Sequence, residues 1–205
     1  ATAPFRQTKD ASKALGGTLN TAFLTIATEA VGRYHVELGA PVEALRASMA
    51  ISTRSDGSGA NAFSLVRMLV PTGEIPIDER FRAIQAATND AVEQSRSSSL
   101  DALAAFSSTL PTSIVTRLAR QQARTVDFAT SNVKGSPVAM YLAGAKLLSN
   151  FAVGPLSGVA FNLTLLSYLG RLDMGLNTDS AAVSEPALLR RFIEEAVDDL
   201  VRCAD

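Results

Sequence analysis

Two alternating runs joined by a two-residue turn constrain this chain more than any other feature. Within FNLTLLSYLGRLDMGL, Phe161, Leu163 and Leu165 share one face of a predicted strand, and Asn162, Thr164 and Tyr168 share the other. Leu172, Met174 and Leu176 then alternate with Arg171, Asp173 and Gly175, and Leu169-Gly170 can turn the chain between the two strands as a tight hairpin. Such a hairpin must cover its apolar face with another layer of structure. The polar face of its first strand suits either a channel wall or the solvent side of an antiparallel sheet.

The covering layer is legible on both sides of the hairpin. Leu19, Phe23, Ile26, Ala27, Ala30, Val31 and Tyr34 recur at helical spacing, with Thr18 as cap and Gly39 and Pro41 as the stop. Leu189, Phe192, Ile193, Ala196 and Leu200 give a closing helix over Glu185 to Cys203, with Ser184 as its cap. Leu45, Ala47, Met49 and Ile51 alternate as a half-buried strand, whereas Phe63 to Val70 is apolar on both faces, the pattern of a strand covered on both sides. Asp78 is placed to cap a helix carrying Phe81 and Ile84, and the helical texture runs on from Leu100 to about residue 122. Strands are expected at Val126 and Phe128 before Asn132, and again at Leu147, Ser149, Phe151 and Val153. Residues 1 to 17 are polar and end in Gly16-Gly17, which reads as a linker. The expected fold is α/β, a mixed β-sheet layered with helices, in one domain over residues 18 to 205.

Composition narrows the functions. Lys and Arg number 19 against 20 Asp and Glu, so no basic surface recommends a nucleic-acid partner. The single cysteine, Cys203, can form no internal disulfide, and a cytoplasmic setting is expected. No run approaches the roughly 18 apolar residues of a membrane span. With one histidine and one cysteine, no metal site is expected, and no Walker loop, G-x-G-x-x-G, H-E-x-x-H or G-x-S-x-G motif is present. The first residues lack both an apolar signal core and a methionine, which fits trimming or a piece of something longer.

Several residues invite a chemical reading, each with a plainer one beside it. His35 stands alone between Tyr34 and Val36, the usual setting of a structural or surface histidine. Arg117, Arg120 and Arg124 fall at i, i+3 and i+7, with Lys134 close behind. They can meet the phosphates of coenzyme A or an anionic membrane, or form a solvated helix face. Asn132 to Pro137 closes a strand in a Gly and Pro turn that suits positioning a carbonyl, joining domains, or simply turning.

These residues, taken in order, resemble the C-terminal half of the bacterial wax ester synthase/diacylglycerol acyltransferase family, within the chloramphenicol acetyltransferase-like and condensation-domain superfamily. SNVKGSP at Ser131 to Pro137 resembles the family's SNVPGP, and YLAGAKLL at Tyr141 to Leu148 its YLAGA block. PLS at Pro155 to Ser157 precedes a run like the family's final strand pair, and Leu19-Asn20 opens a helix like its Asn-Asp helix, ending at Arg33-Tyr34. Thr21 stands where the family has Asp, and Lys134 and Ser136 replace the flanks of Pro-Gly-Pro. The family's H-H-x-x-x-D-G motif is missing, and the resemblance places it in an N-terminal half.

What the resemblance implies is an acyl-CoA-dependent O-acyltransferase making triacylglycerol or wax ester, with acyl-CoA as substrate and no bound cofactor. The second His of the missing motif would be the base, so this chain alone holds no catalytic residue and is expected to be inactive. Asn20, Asn132 and Gly135 are read as substrate-binding, with Asn20 a polar anchor near the reacting groups. Arg117, Arg120, Arg124 and Lys134 are the candidates for the phosphates of coenzyme A. The implied partners are the N-terminal half, as a separate or cleaved chain, a hydroxyl lipid acceptor, and a membrane or lipid droplet met peripherally. Without that half, an apolar face is expected to favour self-association. The alternative is a non-catalytic acyl-binding or protein-interaction module of the same superfamily.

Overall fold

The computed structural model describes residues 1–52, 63–97 and 125–203. In chain order the elements are β1 (Thr2–Pro4), α1 (Phe5–Ala14), α2 (Leu19–Glu37), β2 (Ala44–Ser52), β3 (Phe63–Pro71) and α3 (Ile77–Ser97). They continue with β4 (Phe128–Val133), β5 (Tyr141–Leu142), β6 (Ala145–Lys146), β7 (Phe161–Tyr168), β8 (Arg171–Thr178) and α4 (Pro186–Arg202). A six-stranded mixed sheet has the order β1-β8-β7-β4-β2-β3, and β5 and β6 form a separate small hairpin. Strands β2, β4 and β7 are parallel neighbours, and the flanking pairs are antiparallel.

One face of the sheet carries the core. Phe128 and Phe161 are register partners on β4 and β7, and their rings stack at 4.9 Å. They join Leu163, Leu165, Leu172 and Met174 against Phe23, Leu24 and Ile26 of α2 and Leu189, Ile193 and Leu200 of α4. Each such side chain contributes about 1.5–3 kcal/mol on full burial. Helix α2 is buried on almost every side from Thr21 to Gly32, as befits a helix between a sheet and other helices. Thr18 caps it, with its Oγ1 accepting from the amide of Thr21 at 3.2 Å.

The hairpin forms as expected. Tyr168 and Arg171 are register partners, and Leu169 and Gly170 have φ of 46° and 78°, the double positive φ of a type I′ turn. Other expectations need correction. Residues 1–17 are not a linker: β1 pairs with β8, and α1 buries Thr8, Ala11 and Ser12. Those buried residues are small or polar, so no apolar period advertises the helix. Strand β3 is covered on one side only, with Val66, Met68 and Val70 buried and Leu65 and Leu69 at 54% and 63% exposure. Asp78 lies inside the first turn of α3, where its charge suits the helix dipole, rather than at the cap. Ser184 does not cap α4, which begins with Pro186; the Tyr34 hydroxyl accepts from the Glu185 amide at 3.2 Å instead. The helical reading from residue 100 to 122 lies outside the described residues.

Residues 147–156 are also not a strand. They cross the sheet face opposite the helices as an irregular strap, held by side chains from β7 and β8. The Tyr168 hydroxyl donates to the Leu147 carbonyl at 2.9 Å, and the Asn150 amide donates to Asp173 Oδ2 at 2.8 Å. Asn177 and Asn162 donate to the carbonyls of Gly154 and Pro155 at 3.0 and 2.9 Å. The strap lies so close that a Cβ at Gly175 would stand 2.0 Å from the Ala152 carbonyl oxygen.

Candidate functional site

The connectivity of the parallel strands decides where a site can form. In open sheets of this kind ligands gather beyond the carboxyl ends of the parallel strands. Helix α2 runs antiparallel to β2 and β4, so its first turn meets the last residues of β4 at that edge. There Asn132 Nδ2 donates to Asn20 Oδ1 at 2.5 Å. The structure thus brings together two residues that sequence reasoning singled out separately. The first-turn amides of α2, which have no intrahelical partners, add partial positive charge at the same place.

Gly135 follows within the turn that leaves β4. A Cβ there would stand 2.1 Å from the Ser167 carbonyl oxygen, so the turn presses directly on β7. The Gly135 amide donates to Ser167 Oγ at 3.2 Å. Ser167 escaped notice in the sequence because a lone serine within a strand pattern carries no signal. Lys134 is exposed in the same turn. Arg117, Arg120 and Arg124 lie outside the described residues.

Thr21, where the resembled family has Asp, is buried at 1% exposure. Its hydroxyl donates to Gln85 Oε1 on α3 at 2.5 Å and lies 3.0 Å from Thr18 Oγ1. The position therefore ties α2 to α3 through neutral hydrogen bonds.

On the opposite face of the sheet, which none of the described helices covers, lies a cleft of about 740 Å³. Ser48, Ala50, Ala129 and Ser131 form its floor, Leu65 and Val133 one side, and Val153 to Leu156 of the strap another. Ser131 and Val133, the neighbours of Asn132 along β4, point into it, whereas Asn132 itself points to the helical side. Asn162 and Thr164 border the cleft but are buried at 6% and 3% exposure beneath the strap. They bond to each other at 2.9 Å, so the polar face of β7 is a buried clamp rather than a solvent surface. Asp173, spaced as if it faced outward, has no exposure and anchors the strap. A carboxylate inside an alternating apolar run was the available signal for it.

His35 lies at the wrong end for chemistry at the pair. It is fifteen residues from Asn20 on α2, about 22 Å along the helix axis. Its Nδ1 donates to the Ala40 carbonyl at 3.1 Å, beside the amino ends of β2 and β4. Near it Asp127 pairs with Arg46 at 2.5 Å, and hydrogen bonds from the Arg46 guanidinium hold the Asp127 carboxyl below its ordinary value. Burial, with Asp78 and Asp199 nearby, pushes the Cys203 thiol up, away from the thiolate a nucleophile requires.

A family model described as the WS/DGAT C-terminal domain matches residues 59–201. A putative diacylglycerol O-acyltransferase of Mycobacterium tuberculosis is 31% identical over 196 residues, covering 95% of this chain and 40% of that protein. A second from the same organism is 28% identical over 206 residues, covering 93% of this chain and 41% of the relative. The chain thus spans about two fifths of the length of these curated relatives. Among solved structures, the wax ester synthase/diacylglycerol acyltransferase of Marinobacter aquaeolei VT8 superposes with a TM-score of 0.77 at 19% identity, over all of this chain and 48% of that one. A structure titled for condensation domain-mediated chain release from the enacyloxin polyketide synthase follows at a TM-score of 0.63 and 15% identity, over 98% of this chain and 40% of that one. These two share the fold. The sequence matches decide the family: the chain belongs to the wax ester synthase/diacylglycerol acyltransferase family, as its C-terminal domain.

Proposed function

We propose that this domain forms one wall of the acyl site in an acyl-CoA-dependent O-acyltransferase that makes neutral lipid esters, triacylglycerol or wax ester. The observation that carries the reading is the cleft of about 740 Å³ on a sheet face that none of the described helices covers; the Asn20–Asn132 pair lies on the other face, where β4 ends. The lining of the cleft includes the exposed side chains of Leu65, Val133 and Val153, with Arg67 among them. Such a face is matched to a second apolar surface, and we assign that surface to an N-terminal half bearing the H-H-x-x-x-D-G motif. In its absence the same face supports pairing between copies of this chain.

In the reaction, the acceptor's hydroxyl oxygen attacks the thioester carbonyl carbon. The new C–O bond forms as the C–S bond breaks, and the base on the N-terminal half takes the hydroxyl proton and delivers it to the departing sulfur. The products are the ester and free coenzyme A. This domain's share is to enclose the acyl chain, exclude water and present polar groups where β4 ends, with Lys134 exposed beside them for a phosphate. Among the described residues no helix is long and apolar enough to cross a membrane. On this reading the domain works in the cytoplasm and meets a membrane or lipid droplet peripherally.

The test is reconstitution. The chain is co-expressed with the N-terminal half from its own reading frame or from a mycobacterial relative, then supplied with palmitoyl-coenzyme A and either dioleoylglycerol or hexadecanol. Ester and an equal amount of free thiol are expected from the pair and neither from the chain alone. A folded complex that binds palmitoyl-coenzyme A without turnover would refute the enzymatic reading in favour of an acyl-binding module.

A further inference from the structure

The bond between Asn132 and Asn20 has a direction, and the direction matters. A carboxamide offers one acceptor and one donor group, and turning it over exchanges them. Asn132 donates through Nδ2, and Asn20 receives through Oδ1 at 2.5 Å. The acceptor of Asn20 is thereby used, and its NH₂ is the group left over, with no protein acceptor among the described residues. Both backbones are held by regular structure. Asn132 pairs with Leu165 in the parallel ladder of β4 and β7, and Asn20 lies two residues after the Thr18 cap of α2.

From this geometry, and resting on the acyl-transfer reading above, we infer that Asn132 is a positioning residue: it fixes the Asn20 carboxamide with its NH₂ outward as a hydrogen-bond donor to the thioester carbonyl oxygen. That oxygen gains negative charge as the alcohol attacks. A donor already fixed in place stabilises the charge without reorganising, and the first turn of α2 adds partial charge of the same helpful sign. The pair thus divides the work, with Asn20 touching substrate and Asn132 acting only through Asn20.

Asn132→Asp separates this role from a structural one. The carboxylate is nearly isosteric but only accepts, so it draws the Asn20 NH₂ to itself and turns the carbonyl outward. In the reconstituted pair, with palmitoyl-coenzyme A and hexadecanol, Asn132→Asp is expected to lower kcat by about 10- to 100-fold, short of the roughly 100- to 1,000-fold of deleting such a donor. KM for palmitoyl-coenzyme A stays within about twofold, since the contact strengthens only as charge develops. Asn132→Ala, which merely frees Asn20, loses less than Asn132→Asp. The double variant Asn20→Ala/Asn132→Ala is no slower than Asn20→Ala alone. In the 205-residue chain by itself, Asn132→Asp shifts the Asn20 side-chain NH₂ resonances while the melting temperature stays within a few degrees.

Losses that multiply in the double variant, or an Asn132→Asp enzyme retaining half of kcat or more, would overturn the inference and leave the acyl-transfer reading standing. A folded wild-type pair with no turnover would overturn both.

Discussion

Arg80 is the most deeply placed cation among the described residues, and replacing it with methionine tests how the helical layer is tied together. Its side chain is 3% exposed, and its Nε lies 2.6 Å from Glu29 Oε2, itself on a side chain only 9% exposed. Nη2 donates to the Gly73 carbonyl at 2.7 Å and Nη1 to that of Pro71, so one guanidinium joins α2, α3 and the end of β3. The other oxygen of Glu29 binds Arg33 at 2.8 Å, and Arg33 reaches Asp199 on α4 at 2.5 Å. Methionine approximates the volume and none of the charge. Glu29 is left buried with only the more exposed Arg33, and two carbonyls lose their donor. Removing one partner of a buried pair costs about 3–5 kcal/mol. At about 2–4 °C per kcal/mol for a chain of this size, the melting temperature should fall by roughly 6–20 °C. Scanning calorimetry and urea titration of the purified chain measure both quantities. Glu29→Leu/Arg80→Met, which removes both charges, should recover more than half of the loss. A single variant within about 1 kcal/mol of wild type, or a double variant no better than the single, would refute the argument that the stranded carboxylate carries the cost.

Two further perturbations follow from contacts already described. Gly135→Ala puts a methyl group against the Ser167 carbonyl and should cost about 1–3 kcal/mol by thermal melting; a melting temperature unchanged from wild type would count against the close approach of the turn to β7. Acid unfolding should report Asp127: its folded-state carboxyl sits below the ordinary value of about 3.9, so its contribution is full above about pH 5 and fades as pH falls through the folded value. Asp127→Asn is therefore expected to lower stability at neutral pH and to flatten the loss between pH 5 and 3; an unchanged acid limb would count against the Arg46 pairing.

Much of the fold is legible from local chemistry, and the misses share a cause. Thr18, Gly39 and Pro41 bracket α2 correctly because capping and helix termination act within a few residues. Leu169-Gly170 marks the β-turn for the same reason. Helix α1 is invisible to periodicity because its inward positions are threonine, alanine and serine, which become buried only once β1 has paired with β8. The strap imitates a strand because Leu147, Phe151 and Val153 fall at even spacing, with Ser149 between them. Its backbone nevertheless bonds to side chains instead of to a neighbouring strand. At the candidate site, Asn20 and Asn132 could each be named, but not their contact. They are 112 residues apart, and only the parallel placement of β4 against β7 and the antiparallel run of α2 bring them together.

The strap also decides what in this domain is free to vary. Ladder hydrogen bonds couple every residue of a strand to a register, so a length change in β7 would flip its faces and ruin the core. The segment from 147 to 156 is pinned instead at a few carbonyls and two amides, by the side chains of Tyr168, Asp173, Asn162 and Asn177 and the Met140 carbonyl. Residues between those pins carry no ladder bond, so a change in length there leaves the strand register alone, while Ala152, whose carbonyl packs on Gly175, has no room to move inward. One wall of the cleft is therefore adjustable while its floor is not, and a family built on this sheet can change the size of what it encloses without rebuilding the sheet.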